Sequence, residues 1–117
     1  MKIKNITKNK FVINNAIICE SILSKSIGLM FSKNKGKCLI FKFNSEKIVA
    51  LHMFFVFYPI DVLFLNKNKI VVDKKENFKP FAFYSSKKKT AYAIEMPNGI
   101  IKGSKTGIGD KIKFCKI

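Results

Sequence analysis

One segment of the sequence combines the residue types that could bind or react with a small molecule. Within residues 51–65, His52 and Asp61 interrupt an otherwise apolar run, and Tyr58 lies between them. A histidine can hold or transfer a proton near neutral pH, and a carboxylate in an apolar run needs hydrogen bonds or a cationic partner once it is buried. We therefore take His52, Tyr58 and Asp61 as candidates for the polar rim of a ligand pocket lined by aromatic side chains.

These polar residues also have structural interpretations. His52 can be a partly buried side chain with satisfied hydrogen bonds, and Asp61 can accept backbone N–H groups in the turn after Pro59. Asp110 is expected to shape a Gly-Asp turn. Strand alternation predicts that Glu95 faces solvent or pairs with a lysine.

The charge of the chain suggests a second kind of partner. All 23 basic residues are lysines and only 7 residues are acidic, which gives a net charge of +16. Such a surface attracts polyanions, but without arginine it lacks the fork that reads base edges, so any nucleic-acid binding should show weak sequence preference. The best local candidate is Lys87, Lys88 and Lys89 beside Tyr84, because a base can stack on an aromatic ring while lysines hold the backbone. Since lysines occur in almost every predicted turn, a merely solvated shell is the alternative.

The sequence favours a binding protein over an enzyme, although it does not exclude a reaction. Cys19, Cys38 and Cys115 are widely spaced and His52 is the only histidine, which argues against a disulfide framework and a zinc site. No phosphate-binding glycine loop or nucleophile motif is present. We expect neither a cofactor nor a metal.

Length and hydropathy indicate a small soluble domain. The 117 residues, 48% of them hydrophobic, suit one domain over residues 1–117. No uncharged apolar run reaches the roughly 18 residues of a membrane span, and Asn14 and Asn15 interrupt what could have been a signal peptide. We expect a cytoplasmic protein.

The periodicity predicts a mainly β (α+β) fold. Apolar residues at helical spacing predict one amphipathic helix over 17–31, and alternating segments predict about seven strands. Asn66–Lys69 is expected to turn a hairpin, and residues 98–104 a short turn or single helical turn. We favour a small, partly open antiparallel β-barrel plugged by the N-terminal helix, with a flat two-layer α+β sandwich as the alternative.

Four segments, taken in order, resemble a known family. They are the central block Leu51–Leu65 with its Pro-Ile-Asp-Val, Gly28-Leu29-Met30-Phe31, Ala93–Gly99, and Gly107-Ile108-Gly109-Asp110. Together they resemble the uncharacterised domain of unknown function 192 family, in its archaeal form, over roughly residues 17–115. Lys25 and Ala91 stand where family members often carry arginine, so any role of those arginines is in doubt here. The resemblance implies a compact, mostly β domain and no particular reaction.

Two functions follow as the favoured hypotheses, and an enzyme whose substrate class cannot be named is the third. The first is a small binding module with a shallow aromatic-lined pocket, whose partner is an unidentified small ligand or protein. The second is a polyanion-binding protein that holds RNA or DNA without sequence preference.

Overall fold

The computed structural model describes residues 1–20, 38–52 and 58–116. Within these ranges the chain forms ten strands and one short helix. In chain order the elements are β1 (Lys2–Asn5), β2 (Lys10–Ile13), β3 (Ala16–Glu20), β4 (Cys38–Lys47), β5 (Ala50–His52), β6 (Ile60–Leu65), β7 (Val71–Phe78), β8 (Phe83–Ser85), β9 (Thr90–Pro97), α1 (Ile100–Ser104) and β10 (Ile112–Cys115).

The described strands form three sheets of different sizes. The largest has five strands in the order β3-β4-β9-β6-β7, and the others have the orders β10-β1-β2 and β5-β8. Strand β3 pairs parallel to β4, while the other strand pairs are antiparallel.

The five-stranded sheet is the middle layer, because apolar side chains cover both of its faces. On one face Ile40, Leu63 and Ile94 pack with residues of β1, β2, β10 and α1. On the other face Phe41 and Phe64 pack with residues of β5 and β8. Adjacent side chains of a strand point to opposite faces, so β6, which is buried at every position, supplies both clusters.

Several local predictions are confirmed. The predicted turn Asn66–Lys69 lies between β6 and β7; the first hairpin of the chain is formed by β1 and β2. In this turn the Asn66 side chain accepts hydrogen bonds from the N–H groups of Asn68 and Ile70, at 2.9 and 3.0 Å. Residues 100–104 form the predicted single helical turn, α1.

The prediction of an N-terminal helix over 17–31 is wrong for the part of this range that the structure describes. Residues 16–20 form strand β3, which pairs with β4 from Ala16↔Cys38 to Glu20↔Lys42. The β-branched Ile17 and Ile18 favour a strand, and a short apolar run fits either element by periodicity alone. The rest of the predicted helix, 21–31, lies outside the described residues.

The barrel is also wrong, because the described sheets stack in layers and do not close on one another. The layered alternative is nearer, although the helix described is only five residues long. Within the described ranges, no helix has the length and apolar character needed to cross a membrane.

Candidate functional site

Strand β4 bows away from its neighbour near its end. Lys42 pairs with Tyr92 and Lys47 pairs with Thr90, so residues 43–46 stand opposite the single residue Ala91. A β-bulge of this kind bends its strand and breaks the ladder of hydrogen bonds, and bulges often lie beside functional sites. Here the bulge opens a depression in the protein surface.

This depression, which we call the bulge pocket, has a volume of about 370 Å³. That volume lies within the range of small-molecule sites, roughly 300–1,000 Å³. Its lining residues include Lys42, Phe43, Glu46, Lys67, Ala91 and Tyr92.

The two aromatic lining residues of the bulge pocket, Phe43 and Tyr92, are each in contact with a lysine that does not itself line the pocket. Tyr92 is half-buried and its ring centroid lies 5.4 Å from that of Phe114. The ammonium of Lys69 lies 5.5 Å from the Tyr92 centroid, and that of Lys47 lies 5.5 Å from the Phe43 centroid. Both distances suit cation–π contacts, which hold positive charge beside the apolar lining.

One carboxylate lies in the bulge pocket and fixes its shape. Glu46 accepts a hydrogen bond from the backbone N–H of Lys67 at 2.7 Å, which ties the bulge to the β6–β7 turn. The ion pairs Lys8–Asp110 and Lys74–Glu76 do not involve Lys42 or Lys67. The lining residues therefore carry more positive than negative charge.

Most of the carboxylates that the structure describes are buried, and one of the buried ones, Asp110, pairs with Lys8. Of the six acidic side chains that the structure describes, four are buried: Asp61, Asp73, Glu95 and Asp110. Three of these four accept hydrogen bonds from backbone N–H groups. The described surface is therefore dominated by lysine.

Asp61 connects three segments of the fold. It is fully buried, and its carboxylate accepts hydrogen bonds from the N–H groups of Asn77 at 3.0 Å, Gly99 at 2.9 Å and Ile101 at 3.0 Å. Gly99 has φ of 97°, a conformation that favours glycine, so its N–H is presented by a tight turn before α1. These contacts favour the structural interpretation of Asp61.

Tyr58 and Asp61 lie on opposite sides of the middle sheet. Tyr58 packs against the cluster that contains Val62 and Phe64. Asp61 alternates with Val62 along β6, so it points to the other face, where it meets the backbone of α1. The backbone of His52 pairs with Phe83, but its side chain lies outside the described part. A pocket rim of His52, Tyr58 and Asp61 stays a prediction, and this geometry does not favour it.

Tyr84 is committed to the core. Its hydroxyl donates to Asp73 at 2.7 Å, and its ring packs against Phe64 and Phe78 with centroids 5.7 and 6.4 Å away. Burial, together with the hydrogen bond and the charge of Asp73, raises the pKa of Tyr84 to about 12. The ammonium of Lys75 lies 5.4 Å from the ring centroid. Tyr84 is therefore a poor surface for stacking a base.

The predicted lysine triplet lies on a firmly held loop. Lys87, Lys88 and Lys89 are all exposed. The carbonyl of Lys88 accepts hydrogen bonds from the hydroxyls of Ser86 and Thr90, each at 3.0 Å. The triplet as a polyanion contact stays a prediction, without the support of Tyr84.

The environment of Glu95 differs from the predicted one. It does lie on the face opposite Ile94, but that face is covered, and Glu95 is only 3% exposed. Its neighbours in register are Leu39 and Val62, and its Oε2 atom has no hydrogen-bond partner among the described residues. Burial raises the pKa of Glu95 to about 9, so the side chain is neutral at pH 7. The alternation of polar and apolar residues predicted an exposed face for Glu95, but strand β9 is buried on both faces.

Asp110 has the predicted structural role. Its carboxylate accepts hydrogen bonds from Asn5 at 2.8 Å, from the Gly107 N–H at 2.9 Å and from Lys8 at 3.0 Å. Burial opposes ionisation, but these hydrogen bonds and the charge of Lys8 lower the pKa of Asp110 below its ordinary value. The carboxylate thus joins the turn before β10 to the first hairpin.

The described cysteines fit a packing role. Cys38 is buried, and burial together with the charge of Glu95 raises the pKa of its thiol to about 12. Cys115 ends β10 and is half-buried. The part of the chain that the structure describes contains no group of three or more His, Cys, Asp or Glu residues that could hold a metal ion.

Comparison with known proteins identifies the family. The family model DUF192, described as "Uncharacterized ACR", matches residues 3–114. The chain belongs to DUF192. The family predicted from the four sequence segments is thereby confirmed.

Archaeal relatives of this DUF192 chain are similar over almost its full length. A UPF0127 protein of Pyrococcus furiosus is 35% identical over 115 residues, which cover 97% of each chain. A UPF0127 protein of Pyrococcus horikoshii is 36% identical over 113 residues, covering 96% of this chain and 97% of the relative. Neither name states an activity.

Two solved bacterial structures share the fold of this DUF192 chain. A protein of unknown function from Novosphingobium aromaticivorans matches with a TM-score of 0.79 at 19% identity, over 97% of this chain and 82% of that one. A protein from Sinorhizobium meliloti, named as a proposed transcription regulator, matches with a TM-score of 0.79 at 20% identity. The match covers 96% of this chain and 89% of that one. At these identities the likeness shows the fold alone.

Proposed function

We propose that this protein is a binding module for a small organic anion that has a flat apolar part, and that the bulge pocket is its site. The observation that carries the proposal is the depression of about 370 Å³ in which Lys42 and Lys67 line the same space as Phe43 and Tyr92. A site that combines apolar contact with a few placed charges is the usual form of a ligand pocket. The proposal keeps the binding module predicted from the sequence and moves its site.

The two parts of the proposed ligand follow from the two kinds of lining group. The ammonium groups of Lys42 and Lys67 can pair with an anionic group, because neither is ion-paired with a described carboxylate. The half-buried ring of Tyr92 offers apolar contact to a flat group, while Phe43, which is only 5% exposed, adds a small part of the lining. Because lysine is a compact point charge without the fixed fork of arginine, the site should tolerate different anionic groups.

The probe pair for this proposal is adenosine monophosphate and adenosine, with inorganic phosphate as a third ligand. Isothermal titration at low salt should give a Kd of about 1 mM or tighter for adenosine monophosphate. Adenosine and inorganic phosphate should each bind at least about tenfold more weakly, since each supplies only one of the two contacts. Equal binding of phosphate and the nucleotide would contradict a role for the aromatic lining.

Variants that remove positive or negative charge from the lining of the bulge pocket test where the ligand binds. The double variant K42Q/K67Q should weaken binding of adenosine monophosphate by about fivefold to twentyfold, because it removes both lining ammonium groups. E46Q should strengthen it by about twofold to threefold, because the amide can still accept the Lys67 N–H while the repelling charge is gone. The matched control K87Q/K88Q changes the net charge as much as K42Q/K67Q does. An equal loss of affinity in the control would show attraction by the whole surface and overturn the assignment of the site.

A further inference from the structure

The outer face of the three-stranded sheet displays an aromatic ring among lysines. Along β1, Ile3 and Asn5 are fully buried, so Lys2 and Lys4 point to the opposite, outer face. Phe11 stands directly opposite Lys4 in register, and so does Lys113 from the other side. We call Lys2, Lys4, Phe11 and Lys113 the lysine sheet face.

The ring of Phe11 is held at the surface between positive charges. Phe11 is 52% exposed, although burying such a side chain would stabilise the fold by about 1.5–3 kcal/mol. The ammonium groups of Lys2 and Lys4 lie 5.5 and 5.4 Å from its centroid. The sheet therefore presents a π surface and cations at one place.

The charge on these three strands is of one sign. Their sequences, KIKN, KFVI and IKFC, contain four lysines and no acidic residue. Lys4 and Lys113 are direct cross-strand partners, and like charges in this position destabilise a sheet. A polyanion bound across the strands would relieve this repulsion. The charge of the lysine sheet face is therefore complementary to that of a polyanion.

A second depression adjoins the ring. It has a volume of about 350 Å³ and is lined by Lys10, Phe11, Val12, Gly99, Ile100, Gly103 and Ser104. The space above Gly99 and Gly103 is open, since a Cβ atom at either position would meet nothing within 4 Å. A flat group stacked on Phe11 would have room to extend toward α1.

We propose that the lysine sheet face binds single-stranded nucleic acid without sequence preference. A base stacks on Phe11, while Lys2, Lys4 and Lys113 contact the adjoining phosphates, the combination of aromatic platform and basic groove that single strands require. A duplex keeps its bases stacked inside and offers none to the ring, so the face should prefer single strands. This proposal places polyanion binding on residues other than Tyr84 and the lysine triplet, and it does not depend on the bulge pocket.

The test is fluorescence anisotropy of a labelled oligothymidylate single strand, titrated with the full chain between about 50 and 200 mM salt. The triple variant K2Q/K4Q/K113Q should weaken binding by about tenfold or more at the lower salt. It should also reduce the slope of log K against log salt by about 2, because each single-strand phosphate contact contributes about 0.7. The matched control K87Q/K88Q/K89Q has the same net charge and should lose less than about threefold.

The ring is tested separately with F11L, which keeps an apolar side chain and removes the stacking surface. F11L should weaken binding by about fivefold or more with an unchanged salt slope, since base stacking is independent of phosphate contacts. Cooperative melting curves of the variants would show that they are folded. The proposal would be overturned by equal losses in the two triple variants, by unchanged binding of F11L, or by a duplex that binds as tightly as the single strand.

Discussion

Replacing Asp61 by alanine is expected to lower the free energy of unfolding by about 3–5 kcal/mol. The substitution leaves the N–H groups of Asn77, Gly99 and Ile101 without the acceptor they have in the folded chain. A hydrogen bond to a charged group contributes roughly 1.5–3 kcal/mol, and a buried donor left unpaired costs about as much. Thermal and urea denaturation of the variant provide the measurement, and the melting temperature should fall by more than about 10 °C.

The variant D61N is the control for this prediction. Its amide oxygen can accept from Gly99 and Ile101, whereas its NH₂ group cannot accept the hydrogen bond from Asn77. D61N should therefore lose less stability than D61A. A D61A variant that melts like the unaltered protein and loses only ligand binding would restore Asp61 to the rim of a pocket and contradict the structural role.

Replacing Glu95 by glutamine should stabilise the protein increasingly as the pH rises. The pKa of Glu95 is about 9 in the folded chain, against 4.5 as its ordinary value. Below the ordinary value the carboxyl is neutral in both states. Between the two values the unfolded chain ionises while the folded chain stays neutral, so the unaltered protein loses about 1.4 kcal/mol of stability for each pH unit from this group.

Glutamine is neutral at every pH and nearly the same shape, so the comparison isolates this ionisation. Urea unfolding of E95Q and the unaltered protein, measured from about pH 4.5 to 8.5, should show a stability difference that grows to several kcal/mol. E76Q is the control, because its exposed carboxylate lies 3.4 Å from Lys74 at the surface and should give a small difference. A difference for E95Q that does not change with pH would mean that Glu95 is solvated or ionised in the folded protein.

Local features of the fold were predictable because their causes are local. The polar turn at Asn66–Lys69 and the Gly-Asp turn at Asp110 depend on side chains that bond backbone groups a few residues away. The alternation in β10 likewise follows from neighbouring residues. These local interactions do not depend on distant parts of the fold, so the sequence alone predicts them.

The layers of the fold were less predictable, because they depend on distant partners. Residues 17–20 satisfy a helical pattern, but pairing with β4 makes them a strand. Glu95 alternates as a surface residue should, yet β5 and β8 supply the cover on its side of the sheet. The sequence of a strand does not show which other strands will pair with it or cover it.

The candidate site was missed for a similar reason. The signal was present, because Asn44-Ser45-Glu46 places three polar residues in succession after the alternating run Leu39–Phe43, as happens where a strand bulges. The pocket also needs Lys67 and Tyr92 from distant parts of the chain. Asp61, by contrast, attracted a site assignment because its three backbone partners, from 16 to 40 residues away, could not be anticipated.

The most direct test of the central proposal is to map the bound anion onto the chain. Two-dimensional ¹H–¹⁵N spectra of the labelled protein, titrated with adenosine monophosphate to about 10 mM, would cover the expected affinity. We expect saturating shifts of the amide signals of residues 43–46, Lys67, Ala91 and Tyr92, and the same signals should report about fivefold to twentyfold weaker binding in K42Q/K67Q. Shifts centred on Tyr58 and Asp61, or no saturating shift anywhere in the chain, would contradict the proposal.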